Sequence, residues 1–218
     1  RFILREAGVL GSNPSGLILI KMVKNSLKQI EEKILKISIE IAREGNGALF
    51  VIGNKVKYER LMEQKFGNLN IFETGAEKIL KGLAVIDGAV IINTEGNLID
   101  YGALIKNTKP LIGFGTRHAA AITASKEGNI VILVSEEEKK VKVFRDGKYL
   151  MQIDSLEKNV ETEIPLMSKI LESTGAGVIG TIGTVALAPT LGVALIPGII
   201  LFGGSYFAIK SFLEKHEK

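Results

Sequence analysis

The chain has 218 residues, 46% of them hydrophobic and 24% charged, with a formal net charge of +4 and no cysteine. That length supplies one ordinary domain with an added segment, and the apolar share excludes a disordered tail. The lack of cysteine excludes disulfides, thiolate zinc sites and thiol nucleophiles. Without a basic stripe interleaved with exposed aromatics, nucleic acid is not an expected partner.

The sequence opens on RFILREAGVL, with no methionine and no basic-then-apolar signal segment. This predicts an upstream portion, and the lack of cysteine fits a cytoplasmic location, at the cytoplasmic face of a membrane if the apolar segment further on attaches there. GSNPSG at 11–16 is turn-forming and belongs to a lead-in of residues 1–24. From residue 25, Leu27, Ile30, Ile34, Ile37 and Ile41 recur at steps of three and four, with Lys28, Glu31, Glu32 and Lys36 on the other faces. That spacing predicts an amphipathic helix ending at Gly45.

ALFVIG at 48–53 reads as a short buried strand, and KVKYERLMEQKF at 55–66 as a helix. LAVIDGAVII at 83–92 reads as a buried strand interrupted by Asp87-Gly88, after which NTEGN turns the chain into LIDYGALI. GFGTRHAAA at 113–121 is a turn becoming an alanine-rich helix, with Thr116 as its expected N-cap. NIVILVS at 129–135 is a further strand, and KVKVFRDGKYL at 140–150 carries an Asp-Gly hairpin turn. A helix over about 156–171 closes this part.

Helices alternating with strands in this order predict an α/β fold, a central mixed β-sheet flanked by helices, over residues 25–155. A linking helix at 156–172 then leads into an apolar, Gly-rich segment at 173–218 that ends in a charged tail, and this segment is expected to be helical. From Ser173 to Ile209 there is no charged residue. About 20 apolar residues span a bilayer, so 173–209 reads either as a membrane span or hairpin, or as a buried helical hairpin or oligomer contact. Within it, GAGVIG at 175–180 matches the dinucleotide fingerprint. It lacks the preceding strand and the acid some twenty residues on that the fingerprint needs, so small-residue packing explains it better.

Three stretches carry the residue types of a nucleotide site. A carboxylate amid an apolar strand, as Asp87 is expected to be, must be paired, hydrogen-bonded or metal-bound. It is either a ligand group or the start of a turn, and Gly88 and Ala89 leave the backbone beside it open to a flat ligand. Gly113 and Gly115 let the chain pass close to a ligand, and the helix start after Thr116 favours phosphate. Arg117 adds a planar fork of donors, and His118, one of two histidines, can donate to an oxyanion or ligate a metal. LVSEEE at 133–138 ends a strand with Ser135 and Glu136, groups suited to a phosphate and a divalent cation, or to a solvated acidic turn.

Taken together, DGAVII at 87–92, GTRHAA at 115–120 and VSEEE at 134–138 resemble the catalytic domain of the diadenylate cyclases over roughly residues 30–150. The resemblance implies an enzyme that joins two ATP molecules into cyclic di-AMP for second-messenger signalling. It would work across a homodimer or higher homo-oligomer, with Mn²⁺ or Mg²⁺. It implies Asp87, Arg117 and His118 as catalytic residues and Gly88, Ala89, Leu104, Gly115, Thr116, Arg117 and Ser135 around the nucleotide. Asp87, His118 and Glu136 would be metal ligands. Two positions depart from the family: Ala119 stands where many members have a second arginine, and Ile86 where some have a histidine. The rival expectations are a sensor that holds ATP or cyclic di-AMP without turnover, and a membrane-anchored structural protein.

Overall fold

In this computed structural model, residues 14–61, 63, 67–109, 115–174, 186–188 and 193–202 are described. A long helix, α1 (Pro14–Arg43), leads into β1 (Ala48–Ile52) and β2 (Tyr58–Arg60). Then come α2 (Ala76–Ala84), β3 (Ala89–Ile92), β4 (Leu98–Ile105) and α3 (Thr116–Ser125). β5 (Ile130–Ser135), β6 (Lys140–Arg145) and β7 (Lys148–Asp154) form a meander. A 3₁₀ turn (Val160–Glu163), α4 (Ile164–Thr174) and three short strands, β8 (Ala186–Ala188), β9 (Val193–Ile196) and β10 (Ile199–Phe202), complete the described chain.

The strands form a single mixed sheet in the order β2-β4-β3-β1-β5-β6-β7-β10-β9-β8. β1 and β3 pair in parallel, whereas β1–β5, β5–β6 and β6–β7 are antiparallel. Alternation along the strands makes two apolar layers. Phe50, Ile52, Val90, Ile92, Ile130, Ile132 and Val134 pack with Ile34, Ile37 and Ile41 of α1, Leu80 of α2 and Met167 and Leu171 of α4. Leu49, Val51, Ala89, Ile91, Val131, Leu133 and Phe144 pack with Ala121 and Ile122 of α3 on the opposite face. Each such Ile, Leu or Phe side chain contributes about 1.5–3 kcal/mol on full burial. This is the expected α/β architecture.

Several local expectations are corrected. α1 begins at Pro14, not residue 25, so the turn signal in GSNPSG and the helix start coincide. Proline suits a first helical turn, where its missing N–H would have no intrahelical partner. Within 55–66 the described chain is the edge strand β2 rather than a helix. LAVIDGAVII divides: Leu83 and Ala84 end α2, the chain turns at residues 85–88, and only Ala89–Ile92 is strand. The closing helix starts later than expected, after the 3₁₀ turn.

The largest difference lies in the segment expected to be helical. Its described parts, β8, β9 and β10, are antiparallel strands that extend the sheet beyond β7. A fully apolar run has no periodicity that separates a buried strand from a buried helix. The decisive local signal is Pro197-Gly198 between β9 and β10, with Gly198 at φ 73°, as the third residue of a type II turn requires. The expected GAGVIG packing motif, Gly113 and the charged tail lie outside the described residues. Among the described residues no helix is long and apolar enough to cross a membrane.

Candidate active site

The strand alternation decides what meets α3. Leu49 and Val51 of β1, Ala89 and Ile91 of β3, and Val131 and Leu133 of β5 all face it. Just beyond these residues, Gly47 precedes β1, Asp87 stands in the turn two residues before β3, and Ser135 ends β5. Because β1 and β3 run parallel, with Phe50 paired to Val90, and β5 runs antiparallel, with Ala48 paired to Val134, the chain entering β1 and β3 and the chain leaving β5 lie at the same end of the sheet. Residues 40 and 88 positions apart in sequence thus share one end of three adjacent strands.

α3 delivers its first turn to this end. Its N-cap is Gly115, in extended conformation and with no side-chain cap, so Thr116 is the first helical residue rather than the cap. First-turn N–H groups have no intrahelical acceptors and carry the positive end of the helix dipole. Arg117 lies across Gly47: a Cβ there would sit 2.2 Å from its Nη1 and 3.6 Å from the Cβ of Glu136. The guanidinium is therefore seated on bare backbone beside the β5–β6 turn.

His118 turns the other way, into the space between α3 and β6. Its Nε2 is 3.1 Å from Lys142 Nζ, and its ring stands edge-on to Phe144 at 6.5 Å. Burial, and next the Lys142 ammonium, push its pKa down to about 4, against the opposing pull of Glu138. An ammonium on Nε2 occupies the lone pair a metal would need, so this ring does not fit the ligand role expected for it. Ala119, the next residue, is buried.

Asp87 is exposed rather than buried in a strand, and its Oδ1 accepts the Gly88 N–H at 3.0 Å. Its carboxylate therefore carries no burial cost, and the position is open to solvent. Gly88 has φ 101°, and a Cβ on it would lie 2.5 Å from the carbonyl carbon of Gly102; only glycine fits. Ala89 is buried and pairs with Ala103. Leu104 is half-exposed on β4, paired with Glu59 of β2 and on the face opposite Ala103 and Ile105.

Ser135 is half-buried at the end of β5, and its Oγ accepts the Glu138 N–H at 3.4 Å, closing the acidic turn. Glu136 is exposed. Among the described residues no group of three or more His, Cys, Asp or Glu is placed to hold a metal ion. Asp87 and Glu136 are exposed carboxylates, the donor type that a hard divalent cation takes.

Three contributors escaped sequence reasoning. Gly47 precedes an apolar strand in NGALF, where only the tertiary approach of Arg117 gives it meaning. Lys142 and Glu138 read as ordinary hairpin charges, yet Lys142 is 5% exposed. The available signal for it was parity: Lys142 shares the face of Phe144, opposite Val141 and Val143.

Residues 37–149 match the family DAC, described as DisA bacterial checkpoint controller nucleotide-binding. The chain is similar to a diadenylate cyclase of Methanocaldococcus jannaschii, 32% identical over 151 residues, covering 62% of this chain and 49% of that protein. It is also similar to a diadenylate cyclase of Haloferax volcanii, 23% identical over 178 residues, covering 68% of this chain and 66% of that protein. The chain thus spans about half the length of the first relative and under two thirds, narrowly, of the second. Among solved structures, DacA from Staphylococcus aureus aligns with a TM-score of 0.43 at 22% identity, over 65% of this chain and 94% of that one.

Proposed function

The chain belongs to the DAC family of DisA-type nucleotide-binding domains, and from that membership we propose that it is a diadenylate cyclase, condensing two ATP into cyclic di-AMP and two pyrophosphates. The observation that supports this reading is the Arg117 guanidinium seated on Gly47 beside Glu136, at the end of the sheet where β5 finishes at Ser135 and where Asp87 precedes β3.

In this reading the adenine lies along Gly88 and Ala89 beside Leu104. The phosphates lie at the first turn of α3, where Gly115 and Thr116 bring the backbone and Arg117 and Ser135 add donors. Asp87 hydrogen-bonds a ribose 3′-hydroxyl and takes its proton. The hydroxyl oxygen bonds to the α-phosphorus of the second ATP, and the bond to the leaving pyrophosphate breaks. A second, identical step closes the ring. Such a transfer depends on positioning and on neutralising phosphate charge more than on covalent catalysis. His118 supports this wall of the site through its ring rather than as a cation. Mn²⁺ or Mg²⁺, held by Asp87 and Glu136 with the phosphates, would supply charge neutralisation and a more acidic hydroxyl.

Two identical reactions suit two copies facing each other across a twofold axis. A single copy then binds ATP and makes no product, and the product serves as a second messenger. The test is product formation from ATP with Mn²⁺ or Mg²⁺ over a range of protein concentrations. The reading expects cyclic di-AMP at a specific rate that rises with protein concentration until the dimer saturates. ATP bound tightly with no product at any concentration contradicts it and indicates a nucleotide sensor.

A further inference from the structure

Lys142 occupies a position on β6 where the alternation calls for a core residue. Val141 and Val143 on either side of it pack into the layer under α1, so Lys142 and Phe144 face α3. Its side chain is 6% exposed, and a buried ammonium is tolerated only where its charge and hydrogen bonds are matched. Glu138 Oε1 lies 2.5 Å from Nζ, and His118 Nε2 lies 3.1 Å from it. Glu138 is itself 42% exposed and also faces Lys140. A lysine serving that carboxylate alone could stay at the surface, as Lys140 does. What the buried place adds is the contact with the ring.

That contact has one chemical sense. An ammonium has three hydrogens and no lone pair, so it only donates. Nε2 must then be the accepting nitrogen, and the hydrogen of the neutral ring sits on Nδ1. Phe144 stands edge-on to the same ring and limits its rotation. We infer that Lys142, held by Glu138, is a positioning residue that fixes His118 as the Nδ1–H tautomer in the first turn of α3. This rests on the reading of that turn as a wall of the nucleotide site. There the ring acts as an oriented neutral donor, polarised by the ammonium behind it, a partnership of the kind that sets ring orientation in other histidine sites.

The chain has two histidines, His118 and His216, so a His216→Gln variant labelled with ¹⁵N-histidine reports one ring. Long-range ¹H–¹⁵N correlation at neutral pH reads which nitrogen carries the hydrogen. The expected result is an Nδ1–H ring. An Nε2–H ring in this protein overturns the inference before any further substitution is made. Lys142→Met keeps the stem and removes the donor, and the ring is expected to move toward the Nε2–H tautomer. Lys142→Arg retains a donor and is expected to keep Nδ1–H.

In the product assay Lys142→Met should lower kcat by about 10–100-fold, the scale seen when a histidine loses its outer hydrogen-bond partner, with KM for ATP little changed. Lys142→Arg should restore most of the rate. A folded Lys142→Met protein with its tautomer unchanged overturns the positioning role, whatever the rate. The tautomer behaving as expected in a protein that makes no cyclic di-AMP strikes the proposed function and leaves the positioning intact.

Discussion

On one face of the sheet, Phe50, Ile52, Val90, Ile92 and Ile132 are closed over by α1 from Leu27 onward, by α2 and by α4. On the other face a ten-residue helix, α3, covers Val51, Ile91 and Leu133 and stops where the strands reach Gly47, Asp87 and Ser135. The two ends of α3 also differ. Its C-terminal end is tied down: Asn129 Nδ2 donates to the Ala124 carbonyl at 2.8 Å, and Ser125 Oγ accepts the Gly147 N–H at 3.1 Å. Its N-terminal end has no side-chain cap; there the His118 and Ala119 N–H groups turn back to the Gly115 carbonyl. The same strands therefore serve two purposes through alternation alone. Where helices cover the whole face, the layer is apolar and holds the fold; where the short α3 ends, the strand ends carry the residues proposed for the chemistry.

The contrast predicts which substitutions separate activity from stability. Asp87→Asn should cut cyclic di-AMP synthesis by about 10²–10⁴-fold, the usual scale for a lost proton-transfer group, while thermal melting stays put. A variant that melts early would move Asp87 from the open face to the structural one. Phe50→Ala, on the covered face, should do the opposite. Urea unfolding should show a loss of about 3–5 kcal/mol, and the protein that remains folded should bind ATP normally.

Gly47→Ala tests the boundary between the two. Its methyl meets the end of a flexible Arg117 side chain rather than backbone. Stability should move by no more than about 0.5 kcal/mol, and ATP affinity, by calorimetry, should weaken about tenfold, equivalent to roughly 1.4 kcal/mol. Unchanged affinity would remove Arg117 from the phosphates.

The smallest effect is on pH dependence. His118 titrates near 4 in the folded chain against 6.5 for an ordinary histidine. The unfolded chain therefore binds the extra proton between those values, and stability falls as pH drops from about 6.5 to about 4. Lys142→Met removes one cause of the depression, and its urea midpoint should depend less on pH over that window. An unaltered slope would mean that burial alone governs the ring.

Much of this contrast was legible before the fold was known. The stripe from Leu27 to Ile41, the strand expected at 48–53 and found at Ala48–Ile52, and the Asp146-Gly147 hairpin are local patterns that form. So is GTRHAA as a helix start, although glycine and not Thr116 is the cap. What failed was whatever local sequence leaves undetermined. The apolar run after Ser173 has no period to read, and its described parts join the sheet as strands. Asp87 sits beside, not within, an apolar strand, because α2 uses Leu83 and Ala84 first. Gly47 and Lys142 acquire roles only when α3 docks on β1 and β6, and no neighbour in sequence announces that contact.

The central claim is that the uncovered end of the α3 face performs cyclisation. The most direct measurement incubates the wild-type chain and Asp87→Asn with ATP and Mn²⁺ side by side and quantifies both products by chromatography. The account predicts cyclic di-AMP and pyrophosphate in a one-to-two ratio from the wild type and neither from Asp87→Asn. Wild-type protein that binds ATP and yields no cyclic di-AMP, or an Asp87→Asn protein that yields as much, would contradict it.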